Sequence, residues 1–66
     1  MRVHFDEKAD AIYIRFDQSK IIESQEVQSG IIMDFNAENQ VVGIEILGVN
    51  GRIPKSELKQ MQFEIA

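Results

Sequence analysis

The chain has no cysteine and no tryptophan, and it contains one histidine and one proline. Disulfide bonds and a zinc site of cysteine and histidine ligands are therefore excluded as sources of stability. No apolar run approaches the roughly 20 residues of a membrane-spanning helix, and Met1–Asp6 lacks a long apolar segment. We expect a cytoplasmic protein with no membrane association.

Size and charge narrow the classes of partner. With 66 residues the chain has room for one domain, residues 1–66, whose core is near the lower size limit for independent folding. Seven Lys and Arg against eleven Asp and Glu give a formal net charge of −4, which disfavours general binding to nucleic acid or anionic lipid. We therefore expect a protein partner, and a homodimer that adds to the small core.

Apolar and polar residues alternate in five segments, as is typical of strands in a half-buried sheet. The most apolar segment holds Val42, Ile44 and Ile46 on one face and predicts the core of the sheet. Short polar connections, including a hairpin at Asp17–Lys20, favour an antiparallel meander. The third segment is polar in its middle and is expected at an edge. The predicted strands are 2–6, Ala11–Phe16, Ile21–Val27, Ile31–Phe35 and Val41–Leu47.

The C-terminal residues 54–66 fit two interpretations. Pro54 suits the first position of a helix that runs to Gln60, after which Met61, Phe63 and Ile65 alternate as a sixth strand would. A longer helix with Leu58, Met61 and Ile65 on one stripe is the alternative. We expect the short helix and short strand, so the predicted fold class is mainly β (α+β), an antiparallel meander of five to six strands with one short C-terminal helix.

The two faces of the predicted sheet differ in character. One face is apolar and forms the expected core. The other face has Asp34 toward solvent and mixes apolar with charged residues, which indicates that a partner or a second copy covers part of it. The predicted core face consists of Val3, Phe5, Ile12, Ile14, Phe16, Met33, Phe35, Val42, Ile44 and Ile46. The candidate interaction surface consists of Tyr13, Arg15, Ile32, Val41, Glu45 and Leu47.

Candidate catalytic groups are few. His4 needs a carboxylate within reach to act as an acid or base, and Asp34 with Glu45 needs an opposed placement on neighbouring strands. An outward-facing histidine and a solvated pair beside Arg15 explain these residues more simply. Asp6, Glu7 and Asp10 lack the spacing and central glycine of a calcium loop. We expect no catalytic residues, no metal, no cofactor and no enzymatic activity.

The only basic cluster is Arg52, Lys55 and Lys59. Spacings of three and four residues place such side chains on one helix face, toward phosphate or an acidic surface. This cluster supports an alternative function as a nucleic-acid-associated regulatory protein. A solvated helix end accounts for the same pattern.

Three segments together resemble a small prokaryotic family of unknown function. The segments are Asp6–Ile14 (D-x-x-A-D-A-x-Y-I), Gly30–Asp34 (G-x-x-x-D) and Val42–Leu47 (V-G-I-E-I-L). The resemblance spans roughly residues 1 to 53, implies a compact β-rich single domain and gives no catalytic residues to carry over. It also implies an antitoxin-like protein that stands beside a small ribonuclease-type toxin. The leading hypothesis is thus a non-enzymatic protein-interaction module whose partner is a small basic, toxin-like protein.

Overall fold

Five strands form one antiparallel sheet in the computed structural model, which describes residues 1–66. A single 3₁₀ turn, Val49–Gly51, and a one-turn helix α1, Lys55–Leu58, follow the sheet. The predicted fold class, a mainly β antiparallel domain with one short C-terminal helix, is confirmed. The strands are β1 Arg2–Asp6, β2 Ala11–Arg15, β3 Glu23–Gln28, β4 Ile31–Phe35 and β5 Val41–Leu47.

The most apolar strand lies at the centre of the sheet. The spatial order is β1-β2-β5-β4-β3, so β5 pairs with both β2 and β4. Ile44 is opposite Ile14 on one side and Met33 on the other, and Ile46 is opposite Ile12. Cross-strand pairs of branched apolar residues stabilise a sheet. The predicted role of Val41–Leu47 as the sheet core is therefore confirmed.

The predicted hairpin between the second and third strands is wrong. β3 pairs only with β4, and residues 16–22 lead past the ends of β5 and β4 to reach it. The Phe16 amide donates to the Val42 carbonyl at 2.8 Å, and the Ile22 amide donates to the Phe35 carbonyl at 2.9 Å. The result is a Greek key rather than a sequential meander. β5 takes the place beside β2 because its isoleucines match those of β2, whereas every residue of β3 is exposed. The predicted edge position of β3 is confirmed.

Asparagine shapes the loop between β4 and β5. Asn36 Oδ1 accepts hydrogen bonds from the amides of Glu38 and Gln40 at 3.0 and 2.9 Å, and Asn36 is 4% exposed. Asn39 adopts the left-handed conformation with φ 61°, which asparagine tolerates better than most residues. The loop thus reverses the chain so that β5 can pair with β4.

The predicted sixth strand does not form. Residues 59–66 lie outside regular structure, and the side chains of Met61, Phe63 and Ile65 are 70%, 75% and 86% exposed. The predicted helix is present but ends at Leu58. Apolar alternation produces a strand only where an edge is available for backbone pairing, and this segment pairs with neither β1 nor β3.

Few side chains are buried, because the sheet is a single layer. Val42 and Val49 are the only buried apolar residues, at 1% and 0% exposure. Val49 is tied to the β1–β2 turn, where its amide donates to the Asp10 carbonyl at 3.1 Å. The Asn50 amide also donates to Asp10 Oδ1 at 3.0 Å. The 3₁₀ turn therefore closes one end of the sheet.

Val42→Ala tests the buried centre of the sheet. Two buried methyl groups are lost and a cavity remains, so we expect the free energy of unfolding to fall by about 2 kcal/mol. Val27→Ala is the matched control, because Val27 lies in edge strand β3 and is 48% exposed. Urea unfolding followed by circular dichroism should show a loss within about 0.5 kcal/mol for the control. Equal losses for the two variants would contradict the burial difference.

Candidate functional site

The register of the central strands places four of the six predicted surface residues in two rows across one sheet face. Tyr13, Glu45 and Ile32 form one row on β2, β5 and β4, and Arg15, Gly43 and Asp34 form the next. We call this surface the acidic face, because it carries four carboxylates and two guanidinium groups. By register and alternation its members are Arg2, His4, Asp6, Ala11, Tyr13, Arg15, Ser24, Glu26, Ile32, Asp34, Gly43, Glu45 and Leu47.

Val41 is separated from the other predicted surface residues by a bulge. The register shifts between Asp34 and Phe35, so that Gly43 is opposite Asp34 while Val41 is opposite Phe35. Directly opposed residues share a face, and Val41 therefore falls with Phe35 rather than with Glu45 and Leu47. Strict alternation along β5 does not reveal this irregularity. The structure brings together Tyr13, Arg15, Ile32, Glu45 and Leu47.

Asp34 is buried, and the prediction that it faces solvent is wrong. Its exposure is 2%, and its Oδ1 accepts a hydrogen bond of 2.6 Å from the Ser24 hydroxyl. Gly43 makes room for the carboxylate. A Cβ atom at position 43 would lie 3.0 Å from Asp34 Oδ2 and 3.1 Å from the Tyr13 hydroxyl. Both groups therefore occupy the space beside the glycine that a side chain would fill. No sequence pattern indicates Ser24 as a partner, because only the strand register shows that it is opposite Asp34.

The Arg15 guanidinium binds backbone rather than the carboxylates. Its Nε donates to the Asp17 carbonyl at 2.8 Å, Nη2 donates to the Ser19 carbonyl, and Nη1 reaches the Tyr13 hydroxyl at 3.3 Å. These bonds hold the β2–β3 connection beside Tyr13. In the same connection the Ser19 amide donates to Asp17 at 2.7 Å and holds the pKa of that carboxyl below its ordinary value. Arg15 is thus engaged in local structure.

Glu45 carries the perturbed carboxyl group of the acidic face. Partial burial raises the pKa of Glu45, and the nearby Asp34 carboxylate raises it further by repulsion and by accepting a hydrogen bond from the protonated form. Asp34 is opposite Gly43, two positions from Glu45 along β5, so the two carboxyl groups are diagonal neighbours. The pair therefore favours a proton or a cationic group at Glu45.

His4 does not join this pair of carboxyl groups. It lies on β1 opposite Tyr13, and β2 stands between it and Glu45. Two strand spacings amount to roughly 10 Å, which is beyond hydrogen-bond reach. The candidate acid–base combination of His4 with Asp34 or Glu45 is therefore not assembled.

The basic cluster is divided between two places. Arg52 precedes α1, and its Nη2 donates to the carbonyl of Ser29 in the β3–β4 turn at 2.6 Å. Lys55 and Lys59 flank a shallow depression that Phe5 and Leu58 also line. The three side chains do not share one helix face, because α1 spans only Lys55–Leu58.

The structure shows neither a metal-binding cluster nor a membrane-spanning helix. No group of three or more His, Asp or Glu side chains is arranged to hold a metal ion. Asp6, one of the candidate cation ligands, instead accepts hydrogen bonds from the amides of Lys8 and Ala9 at 3.0 and 3.1 Å. No helix is long and apolar enough to span a membrane.

The geometry defines a small single-sheet β domain with one apolar and one acidic face. Residues 2–50 match the family model described as "Protein of unknown function (DUF2283)", and the chain belongs to this family. The matched range covers all five strands and ends within the 3₁₀ turn. The comparison with curated proteins found no match, and neither did the comparison with solved structures.

Glu45→Gln tests the carboxyl pair through the pH dependence of stability. Because the pKa of Glu45 is higher in the folded than in the unfolded state, its contribution is fully present below the unfolded value and is lost as pH rises through the folded one. Glutamine cannot ionise, so the variant should gain stability relative to the native protein as pH rises from about 3 to 7.

Urea unfolding at several pH values measures this difference. Glu64→Gln removes the same charge from the exposed C-terminal segment and should follow the native pH dependence. A difference between Glu45→Gln and the native protein that stays constant with pH would contradict the raised pKa.

Proposed function

We propose that this protein is a non-enzymatic interaction module that binds a basic protein through its acidic face. The observation that carries the proposal is the pair of diagonal carboxyl groups, Asp34 and Glu45, beside an arginine whose hydrogen bonds go to two backbone carbonyls and the Tyr13 hydroxyl rather than to these carboxylates. A lysine or arginine from a partner would relieve the repulsion at Glu45. The half-buried Tyr13 and Ile32 on either side of Glu45 supply the apolar contacts that accompany such a charge.

The overall charge supports the same partner class. The chain carries a formal charge of −4, and long-range attraction raises the rate at which oppositely charged proteins associate. Within this class we place an antitoxin-like role, in which the partner is a small basic toxin-like protein and binding neutralises it. The support for this role is what the resemblance to the small prokaryotic family implies, together with the acidic face.

The nucleic-acid alternative gains no comparable support. Arg52 is engaged with the Ser29 carbonyl, which leaves Lys55 and Lys59 as the free part of the cluster, next to Glu7. Two lysines beside a carboxylate neutralise few phosphates, so electrostatic affinity for nucleic acid would be small. The acidic face therefore supports a protein partner more strongly than the basic cluster supports nucleic-acid binding.

Glu45→Lys tests the proposed interaction. The immobilised protein is used to capture partners from a lysate of its native host, and the captured protein is purified and titrated by calorimetry. We expect a basic partner whose dissociation constant rises at least about tenfold between 50 and 300 mM salt, because exposed charges are screened. Glu45→Lys should weaken binding by a further factor of about ten or more.

Glu64→Lys is the matched control, since it makes the same charge change away from the sheet. Its dissociation constant should stay within about twofold of the native value. Capture of no basic protein, or equal weakening by both variants, would contradict the proposal. Circular dichroism of each variant establishes that it is folded before titration.

A further inference from the structure

The face opposite the acidic face is apolar and only partly covered. We call it the apolar face; by register and alternation it carries Val3, Phe5, Ile12, Ile14, Ile31, Met33, Phe35, Val41, Val42, Ile44 and Ile46. Among these residues only Val42 is buried, and Val3 at the β1 edge is 36% exposed. Leu58 of α1 lies near Phe5 at one corner, and this four-residue helix is too short to cover the rest.

The exposed area exceeds that of a compact chain of this mass. The accessible surface is 5314 Å² for 7.6 kDa, whereas the scaling for compact monomers gives about 4,300 Å². The excess is on the order of 1,000 Å². The exposed side chains of Met61, Phe63 and Ile65 contribute to this excess together with the apolar face. A stable protein–protein interface takes roughly 800 Å² from each partner, an area of the same order.

The distribution of charge identifies a second copy of this chain as the occupant. None of the residues that β1, β2, β4 and β5 contribute to the apolar face is charged, although the whole chain carries −4. The carboxylates of these strands lie on the opposite face, and Glu23 of β3, which is opposite Phe35, lies only at the edge of the apolar face. Two acidic chains can therefore approach through the centres of their apolar faces with little direct repulsion. Interfaces of homodimers are the most apolar class of interface, which fits this surface.

We propose that two copies pack apolar face to apolar face as a two-fold homodimer, a two-sheet sandwich with its centre at β5. Sheets packed in this way lie about 10 Å apart, with interdigitating side chains. Met33, Ile44 and Ile46 form the centre of the interface, and the polar residues of β3, such as Gln25 opposite Met33, form its rim. Both acidic faces then point outward.

The dimer does not rest on the proposed function, because it uses the other side of the sheet. Two adjacent residues of β5 allow the two proposals to be tested separately. Ile44 lies on the apolar face and Glu45 on the acidic face, so a lysine at position 44 addresses the dimer and a lysine at position 45 addresses the basic partner. Failure of one proposal therefore leaves the other open to its own test.

Sedimentation equilibrium of the native full chain is the primary test. We expect twice the chain mass of 7.6 kDa at micromolar concentration and dissociation on dilution. The melting temperature should rise by roughly 5 °C for each tenfold increase in concentration, since association stabilises the folded state by mass action. A folded 7.6 kDa monomer with a concentration-independent melt would overturn the proposal and would direct attention to residues 59–66 as a cover for the face.

Ile44→Lys should reduce the association constant at least a hundredfold, whereas Glu45→Lys should leave it within about threefold of the native value. Circular dichroism shows whether Ile44→Lys is folded. If it unfolds, Val3→Lys at the exposed margin of the apolar face replaces it, with an expected weakening of about tenfold. Dimers of unchanged stability in a folded apolar-face variant would also overturn the proposal.

Discussion

The structure depends on the central position of β5. This strand has neighbours on both sides, and its Ile44 is opposite Ile14 of β2 and Met33 of β4. β5 is the last strand in the chain, so β2 does not pair with β3, the strand that follows it in sequence. The connection from β2 instead passes the end of the sheet to the edge strand β3. The Greek-key order thus follows from the need to place the most apolar strand where most of its surface is covered.

One glycine in β5 shapes the acidic face. At Gly43 the lack of a Cβ allows the Asp34 carboxylate and the Tyr13 hydroxyl to lie close to the backbone. Asp34 is buried there under the hydrogen bond from Ser24, and its charge acts on Glu45. A buried carboxylate that is hydrogen-bonded on one strand can in this way raise the pKa of a carboxyl group on the next strand.

A single-layer sheet has two faces, and in this chain they are covered by different kinds of contact. The acidic face is covered in part by its own polar contacts, since Arg15 holds the β2–β3 connection near Tyr13. On the apolar face, Leu58 of the short helix lies near Phe5 at one corner, and most other side chains are partly exposed. The buried apolar side chains, Val42 and Val49, are few for a chain of this length. Stability and interaction are therefore linked, because the surface left open by folding is also the surface available for association.

The sequence by itself determined the strands and the face to which most side chains belong. Alternation along Ile31–Phe35 and Val41–Leu47 identified both strands with their observed bounds, because a period of two is a local property of the chain. The strand order, the bulge that displaces Val41 and the burial of Asp34 were decided by the tertiary structure. Each of these depends on which strands become neighbours, and residues as distant as Ser24 and Asp34, or Asp10 and Asn50, meet only after the sheet has formed.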